Sequence, residues 1–245
     1  MEITGTDSPN VELVIKDIHK SFKDKKVLCG CTATLKRGTI YGLLGRNGAG
    51  KTTLLSILAG NLAADSGEFY LQQDGQPPRL VTDEDIFLMV AEPKFPNFLT
   101  GEEFIQFFYD INKSHIAAPQ SIDAYFEAVD FAAEDRCRLI QGYSTGMKNK
   151  LQMIMFLILR PLIILMDEPL TSLDILVQLQ IKKLIRQIQS EHIIILSTHI
   201  LQLAEDLCDS IVFLKEGQIQ AQGLPASTAG LEDMIMSTLK DEGRE

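Results

Sequence analysis

Apolar and polar positions follow two rhythms along this chain, and the rhythm switches repeatedly. Residues 11–18 and 27–35 contain strand-like apolar runs, split by a lysine-rich turn at 23–26. Residues 39–44 form a short apolar run that feeds directly into a glycine-rich stretch. Over 51–62 the spacing turns helical, with Leu54, Leu55, Leu58 and Leu62 on one face. Residues 67–72 and 86–91 predict two further strands, parted by a Gly/Pro-rich loop at 74–78.

From 93 to 142 the pattern predicts helices. Residues 100–112 open with Thr100 and Glu103 at the spacing of a capping box and carry Phe104, Ile105, Phe107, Phe108 and Ile111. A second amphipathic helix is expected over 119–131. Beyond it, helices at 147–159, 175–189 and 201–207 alternate with strands at 162–166 and 193–197, and runs at 211–214 and 218–222 close the series. Strands alternating with helices predict an α/β fold whose parallel sheet is covered on both faces. The expected organisation is one domain over 1–245: a core from 1–92 and 143–225, a helical insert at 93–142, and an extension at 226–245 with a helix over 227–239.

Composition narrows the function. The chain has 45% apolar and 23% charged residues and a formal net charge of −10, so a nucleic-acid partner, which needs cations facing phosphates, is not expected. Cys29, Cys31, Cys137 and Cys208 form no CxxC framework and are read as small buried residues in a reducing compartment. Residues 1–10 are polar and acidic, unlike a secretory signal. The apolar stretch 153–166 is interrupted by Arg160 and Pro161 and falls short of the ~20 residues a membrane span needs.

The chemistry begins at Gly45. The segment through Thr53, with Asn47, Gly48, Ala49, Gly50, Lys51 and Thr52, fits G-x-x-x-x-G-K-[ST] between a strand and a helix. Glycines let the backbone curl until several N–H groups point at one anion. Lys51 adds a point charge for phosphates, the Thr52 hydroxyl can hold Mg²⁺, and the helix directs its positive end at the same place. A second apolar strand delivers Asp167 and Glu168 at its carboxyl end. Asp167 is suited to orient Mg²⁺ and Glu168 to polarise an attacking water.

Three further segments in order make the chain resemble the ABC ATPase superfamily over residues 11 to about 223. Tyr143, Ser144, Thr145, Gly146 and Met147 resemble the signature L-S-G-G-Q. Residues 171–174, ending at Asp174, resemble the D-loop, and Thr198-His199 resembles the switch histidine. The resemblance implies a P-loop NTPase core with a mostly parallel sheet, an N-terminal antiparallel β-subdomain and a helical insert. It implies an ATPase using ATP and Mg²⁺, with Glu168, His199 and Asp174 in catalysis and Thr52, Glu92 and Asp167 at the metal. Ser144 and Gly146 would reach the nucleotide held by a second ATPase domain, in a homodimer or heterodimer. Phe22 stands where the family stacks an aromatic on adenine, with a core phenylalanine as the alternative. His19, His115 and His192 match no motif and are read as structural.

Several positions depart from the family pattern. Glu92 replaces the usual glutamine, Tyr143, Thr145 and Met147 alter the signature, and Ser172 replaces a D-loop glycine. Glu92, the Thr-Gly-Met-Lys signature at 145–148 and the His-Ile-Leu run after Thr198 together resemble a branch that exports peptides, lipids or drugs. The resemblance implies a polytopic membrane permease as partner, docked near Glu92 and the 95–99 loop, and a place on the cytoplasmic face of the membrane. Phe95 and Phe98 are either interface residues or plugs that hold the insert onto the core. The rival readings are a soluble ABC ATPase in an assembly or regulatory role and a binding-only subunit of a heterodimeric transporter.

Overall fold

The computed structural model describes residues 10–171, 173 and 175–225, the last five by their backbone alone. Asp174, Ser172 and the expected helix at 227–239 lie outside the described residues. In chain order the elements are β1 (Val11–Phe22), β2 (Lys25–Lys36), β3 (Ile40–Leu44), α1 (Lys51–Leu58), β4 (Ser66–Gln73), β5 (Arg79–Leu80) and β6 (Ile86–Met89). Then follow α2 (Gly101–Asn112), α3 (Ile122–Ala128), α4 (Ala133–Arg136), α5 (Thr145–Leu159), β7 (Ile163–Asp167), α6 (Ile175–Ile188), β8 (Ile193–Thr198), α7 (Leu201–Leu207), β9 (Ser210–Lys215) and β10 (Gln218–Pro225).

The strands sort into two sheets. A four-stranded antiparallel sheet has the order β2-β1-β4-β5, and a six-stranded sheet has the order β10-β9-β3-β8-β7-β6. In the second, β3, β6, β7, β8 and β9 run parallel and β10 returns antiparallel to β9. The two sheets are stitched at the β9–β10 turn, where Gly217 O accepts from Cys29 N at 2.7 Å and from Cys31 Sγ at 3.1 Å. Gly217 has φ +74, and a side chain there would come within 2.4 Å of Val27 O.

Period-two alternation along the parallel strands divides the core. Ile163, Leu165, Ile193, Ile195 and Leu43 pack with α1 and the antiparallel sheet. Ile164, Met166, Ile194, Leu196 and Leu44 pack on the other face with the helical insert, α5 and α6. A sheet buried on both faces needs apolar residues at every position, so these strands read as continuous apolar runs.

The helical insert starts as its sequence predicts. Thr100 Oγ1 accepts from Glu103 N at 3.2 Å while Glu103 Oε2 accepts from Thr100 N at 2.9 Å. The second insert helix is shorter than the amphipathic pattern suggests, beginning at the Ser121 cap and ending before Asp130 at φ +50. Likewise α1 stops at Leu58, two residues before Gly60 at φ +72, not at 62. The two-residue β5 and one-turn α4 are too short to leave a periodic signal. Of the cysteines, Cys31 and Cys208 are buried, with burial pushing their thiols up to about 11 and about 12. Cys137 corrects the expectation: it is exposed, with Sγ 3.7 Å from Glu102 Oε2.

Candidate active site

Register brings the motif residues to one rim. Leu44 pairs with Thr198 and Asp167 with Ser197, so β3, β7 and β8 release their chains side by side at their carboxyl ends. Open α/β sheets bind ligands at that rim.

The glycine-rich turn leaves β3 through Gly45, where a side chain would lie 2.5 Å from Leu214 O. It enters α1 through Gly50 at φ +104, where a side chain would meet Leu28 at 2.8 Å. Both positions therefore require glycine, one for close approach and the other also for its left-handed backbone. No side chain caps α1 and its first turn holds no acid, which leaves its positive end for an anion. Lys51, only 6% exposed, donates from Nζ to Gly45 O at 2.7 Å and to Arg46 O at 3.4 Å. Burial holds its ammonium below the ordinary lysine value, partly offset by Glu168 and Asp167. Thr52 is exposed in the same first turn and Thr53 half-buried. A cavity of about 410 Å³ opens beside the turn, lined by Gly45, Asn47, His199, Leu201 and Phe213. A second of about 220 Å³ reaches Gly48 and Ala49.

The carboxylates are held from β8. Ser197 Oγ donates to Asp167 Oδ1 at 2.6 Å and accepts from Glu168 N at 3.0 Å. Glu168 has φ +49, a left-handed conformation costing a non-glycine residue roughly 1–2 kcal/mol. Its carboxylate is bound at three points. Oε1 lies 3.0 Å from His199 Nδ1 and 3.9 Å from Lys51 Nζ, and Oε2 accepts from Thr171 Oγ1 at 3.1 Å. Lys51, Glu168 and His199 thus form one polar cluster over the glycine-rich turn. No motif singles out Ser197; its signal is a polar residue inside a wholly buried strand, between Leu196 and Thr198.

Other expected residues stand apart from this cluster. Ser144 caps α5, its Oγ accepting from Met147 N at 3.2 Å, and Gly146 lies against Val177 of α6. Tyr143, in place of the family leucine, is buried under the insert and donates from its hydroxyl to Asp135 O at 2.7 Å. Burial pushes that phenol up to about 12. Its hydroxyl leaves no room for a side chain on Gly101, which would meet it at 2.3 Å, so the altered signature is matched within the insert. Phe22 is 47% exposed at the end of β1, with Lys20 Nζ 5.6 Å from its ring centre, which rules out the core alternative. Phe95 and Phe98 divide between the two expectations. Phe95 packs edge-on against Phe104 at 5.0 Å, whereas Phe98 is 78% exposed.

The donor set suits Mg²⁺: the Thr52 hydroxyl and the carboxylates of Asp167 and Glu92 are hard oxygens. Among the described residues no three His, Cys, Asp or Glu side chains converge on one point. Glu92 is exposed two residues beyond Val90. Among the described residues no helix is long and apolar enough to cross a membrane.

Known proteins resemble this chain in sequence and in fold. A family model described as ABC transporter matches residues 28–171. The chain is 31% identical over 224 residues to the ABC transporter ATP-binding protein NatA of Bacillus subtilis, covering 86% of this chain and 89% of that protein. It is 30% identical over 223 residues to the Nod factor export ATP-binding protein I of Bradyrhizobium diazoefficiens, covering 88% and 71%. In fold it resembles a nucleotide-free ATP-binding cassette from an ABC transporter, with a TM-score of 0.77 at 18% identity over 96% of this chain and all of that one. An ATP-binding subunit of an ABC transporter matches with a TM-score of 0.73 at 24% identity, covering 92% of each chain. The matched segment spans more than half the chain, from β2 through the Asp167–Glu168 rim, and the protein belongs to the ABC transporter family as an ATP-binding subunit.

Proposed function

We propose that this chain hydrolyses the Mg·ATP that its family binds, and that two such domains close on two nucleotides to drive a separate membrane permease in the direction of export. The observation that carries the reading is the Lys51–Glu168–His199 cluster above the uncapped α1 terminus. Glu168 accepts a proton from water as that water attacks the γ-phosphate, and His199 orients the carboxylate for it. Lys51 leaves its loop carbonyls for the β- and γ-phosphates, a change helped by its buried, uneasily solvated ammonium. Mg²⁺ held through Thr52 and Asp167, with Glu92 nearby, would neutralise charge on the same oxygens. Ser144 and Gly146, at the start of α5, complete the partner's site, with Asp174 coupling the two. Phe22 stacks on adenine from the exposed end of β1.

Export is supported by the name of the Nod factor relative. Permease docking is supported by Phe98, Phe107 and Ile111, which the insert leaves 78%, 57% and 59% exposed. Such a subunit works at the cytoplasmic face of the membrane through its permease.

Glu168→Gln tests the catalytic reading. ATP binding should persist, turnover should fall about a thousandfold, and sedimentation should show an ATP-dependent dimer. Wild-type turnover in that variant would remove Glu168 from the role of base. Phe98→Asp tests docking: the isolated chain should keep its ATPase rate while co-purification of the permease from solubilised membranes is lost. Unchanged recovery of the permease would move docking away from this loop.

A further inference from the structure

A buried polar chain on α5 meets the nucleotide rim at two points, Val90 and Pro169. Gln152 and Asn149 stand three residues apart on α5, hence on one face, and are 4% and 2% exposed. Two carboxamides buried in so apolar a helix are costly unless bonded. Gln152 Oε1 accepts from Val90 N at 3.0 Å, and its Nε2 donates to Val90 O at 3.0 Å and to Asn149 Oδ1 at 3.2 Å. Asn149 Nδ2 then reaches Pro169 O at 3.5 Å. The orientation of the Gln152 amide is fixed by its partner, because the Val90 N–H needs an oxygen and the Val90 carbonyl needs an N–H.

These bonds join three segments distant in sequence. Val90 is the first residue beyond β6 and lies two before Glu92. Pro169 follows Glu168, whose backbone is already held in a left-handed turn. The helix between them begins at the Ser144 cap. One carboxamide takes the place of a neighbouring strand for Val90, using both polar groups of that residue. A leucine or methionine would fill the same volume without fixing either loop.

We infer that Gln152 is a positioning residue that, through Asn149, locks the Glu92 segment and the Glu168 turn to α5 as one unit. Displacement of the 93–99 loop by a docked partner is thereby passed to the base that activates water. The inference rests on the ATPase reading above and deepens it with a residue that makes no contact with nucleotide. A buried polar network whose members are all bonded resists independent movement of its parts.

The test uses the purified full chain carrying Gln152→Met, Asn149→Ala or both, with Glu168→Gln as the catalytic control. Each single variant should lower kcat by about ten- to a hundredfold through misplacement of Glu168. Mg·ATP affinity should stay within about threefold, since the groups that bind phosphate are untouched. The double variant should be no slower than the slower single one, because both break one relay. Hydrogen exchange at the Val90 amide should quicken in Gln152→Met. Asn149→Ala leaves the Val90 clamp in place and reports on the relay even where Gln152→Met fails to fold. A lower Tm with unchanged kcat, or losses that multiply in the double variant, would overturn the inference in favour of packing alone. Wild-type turnover that survives Glu168→Gln would instead defeat the ATPase reading, and the inference with it.

Discussion

Strand β8 has a histidine at each end, and the two live in opposite environments. His192 enters the strand, is 4% exposed, and its Nδ1 bonds the Pro161 carbonyl at 2.5 Å. His199 leaves the strand with its side chain 44% exposed and its Nδ1 3.0 Å from the Glu168 carboxylate. The entry end of the sheet is tied by bonds among structural side chains and backbone. There Asp209 Oδ2 accepts from Ile40 N and from Gln189 Nε2, and its Oδ1 pairs with Arg186. The exit end holds a lysine, two carboxylates and a histidine above a cavity. The same residue types serve structure at one rim and chemistry at the other, and strand direction decides which.

The comparison breaks if the two histidines behave alike. His199→Ala should lower kcat about a hundredfold while changing folding stability by no more than about 0.5 kcal/mol, as for other partly exposed sites. His192→Ala should do the reverse. Turnover per folded molecule should hold, and stability should fall by about 1–3 kcal/mol because the buried Pro161 carbonyl loses its donor. Parallel ATPase assays and urea denaturation read both. A catalytic defect in the His192 variant would mean that the entry rim is coupled to the chemistry.

Ser197 sharpens the same contrast one residue inside the strand. Ser197→Ala frees the Asp167 carboxylate and the Glu168 N–H together, so kcat should fall about tenfold while ATP still binds. A rate equal to wild type would show that the left-handed turn at Glu168 needs no support from β8.

What could be read in advance follows from the range of the interactions involved. The glycine-rich turn, the strand ending in Asp167 and Glu168, and the Thr100–Glu103 box are local patterns, and each forms where its residues predict. Ser197 and Gln152 act across pairings dozens of residues long. Ser197 meets Asp167 only because β7 and β8 adopt one register, and Gln152 meets Val90 only because α5 lies across the end of β6. A polar residue in a buried run shows that each needs a partner, but nothing nearby names which partner. Phe95 and Phe98 show the same limit for exposure: three residues apart in one loop, one turns onto Phe104 and the other faces out.

The smallest effect is the dependence of stability on acid, and it too separates the two rims. Burial holds the His192 imidazole below its ordinary value of 6.5, even though the Pro161 carbonyl favours the proton. The native state therefore refuses a proton that the unfolded chain accepts once the pH falls below about 6.5. Stability from this neutral, buried ring is complete above that pH and is lost as the pH drops towards the lower native value. The slope is at most about 1.4 kcal/mol per pH unit for one group. His192→Ala removes the slope, so the stability gap between wild type and variant should be widest at pH 7.5 and narrow by pH 5. Urea midpoints at the two pH values measure it directly. A gap that widens in acid would mean that His192 is charged in the native protein and is held there as a cation rather than as a neutral buried ring.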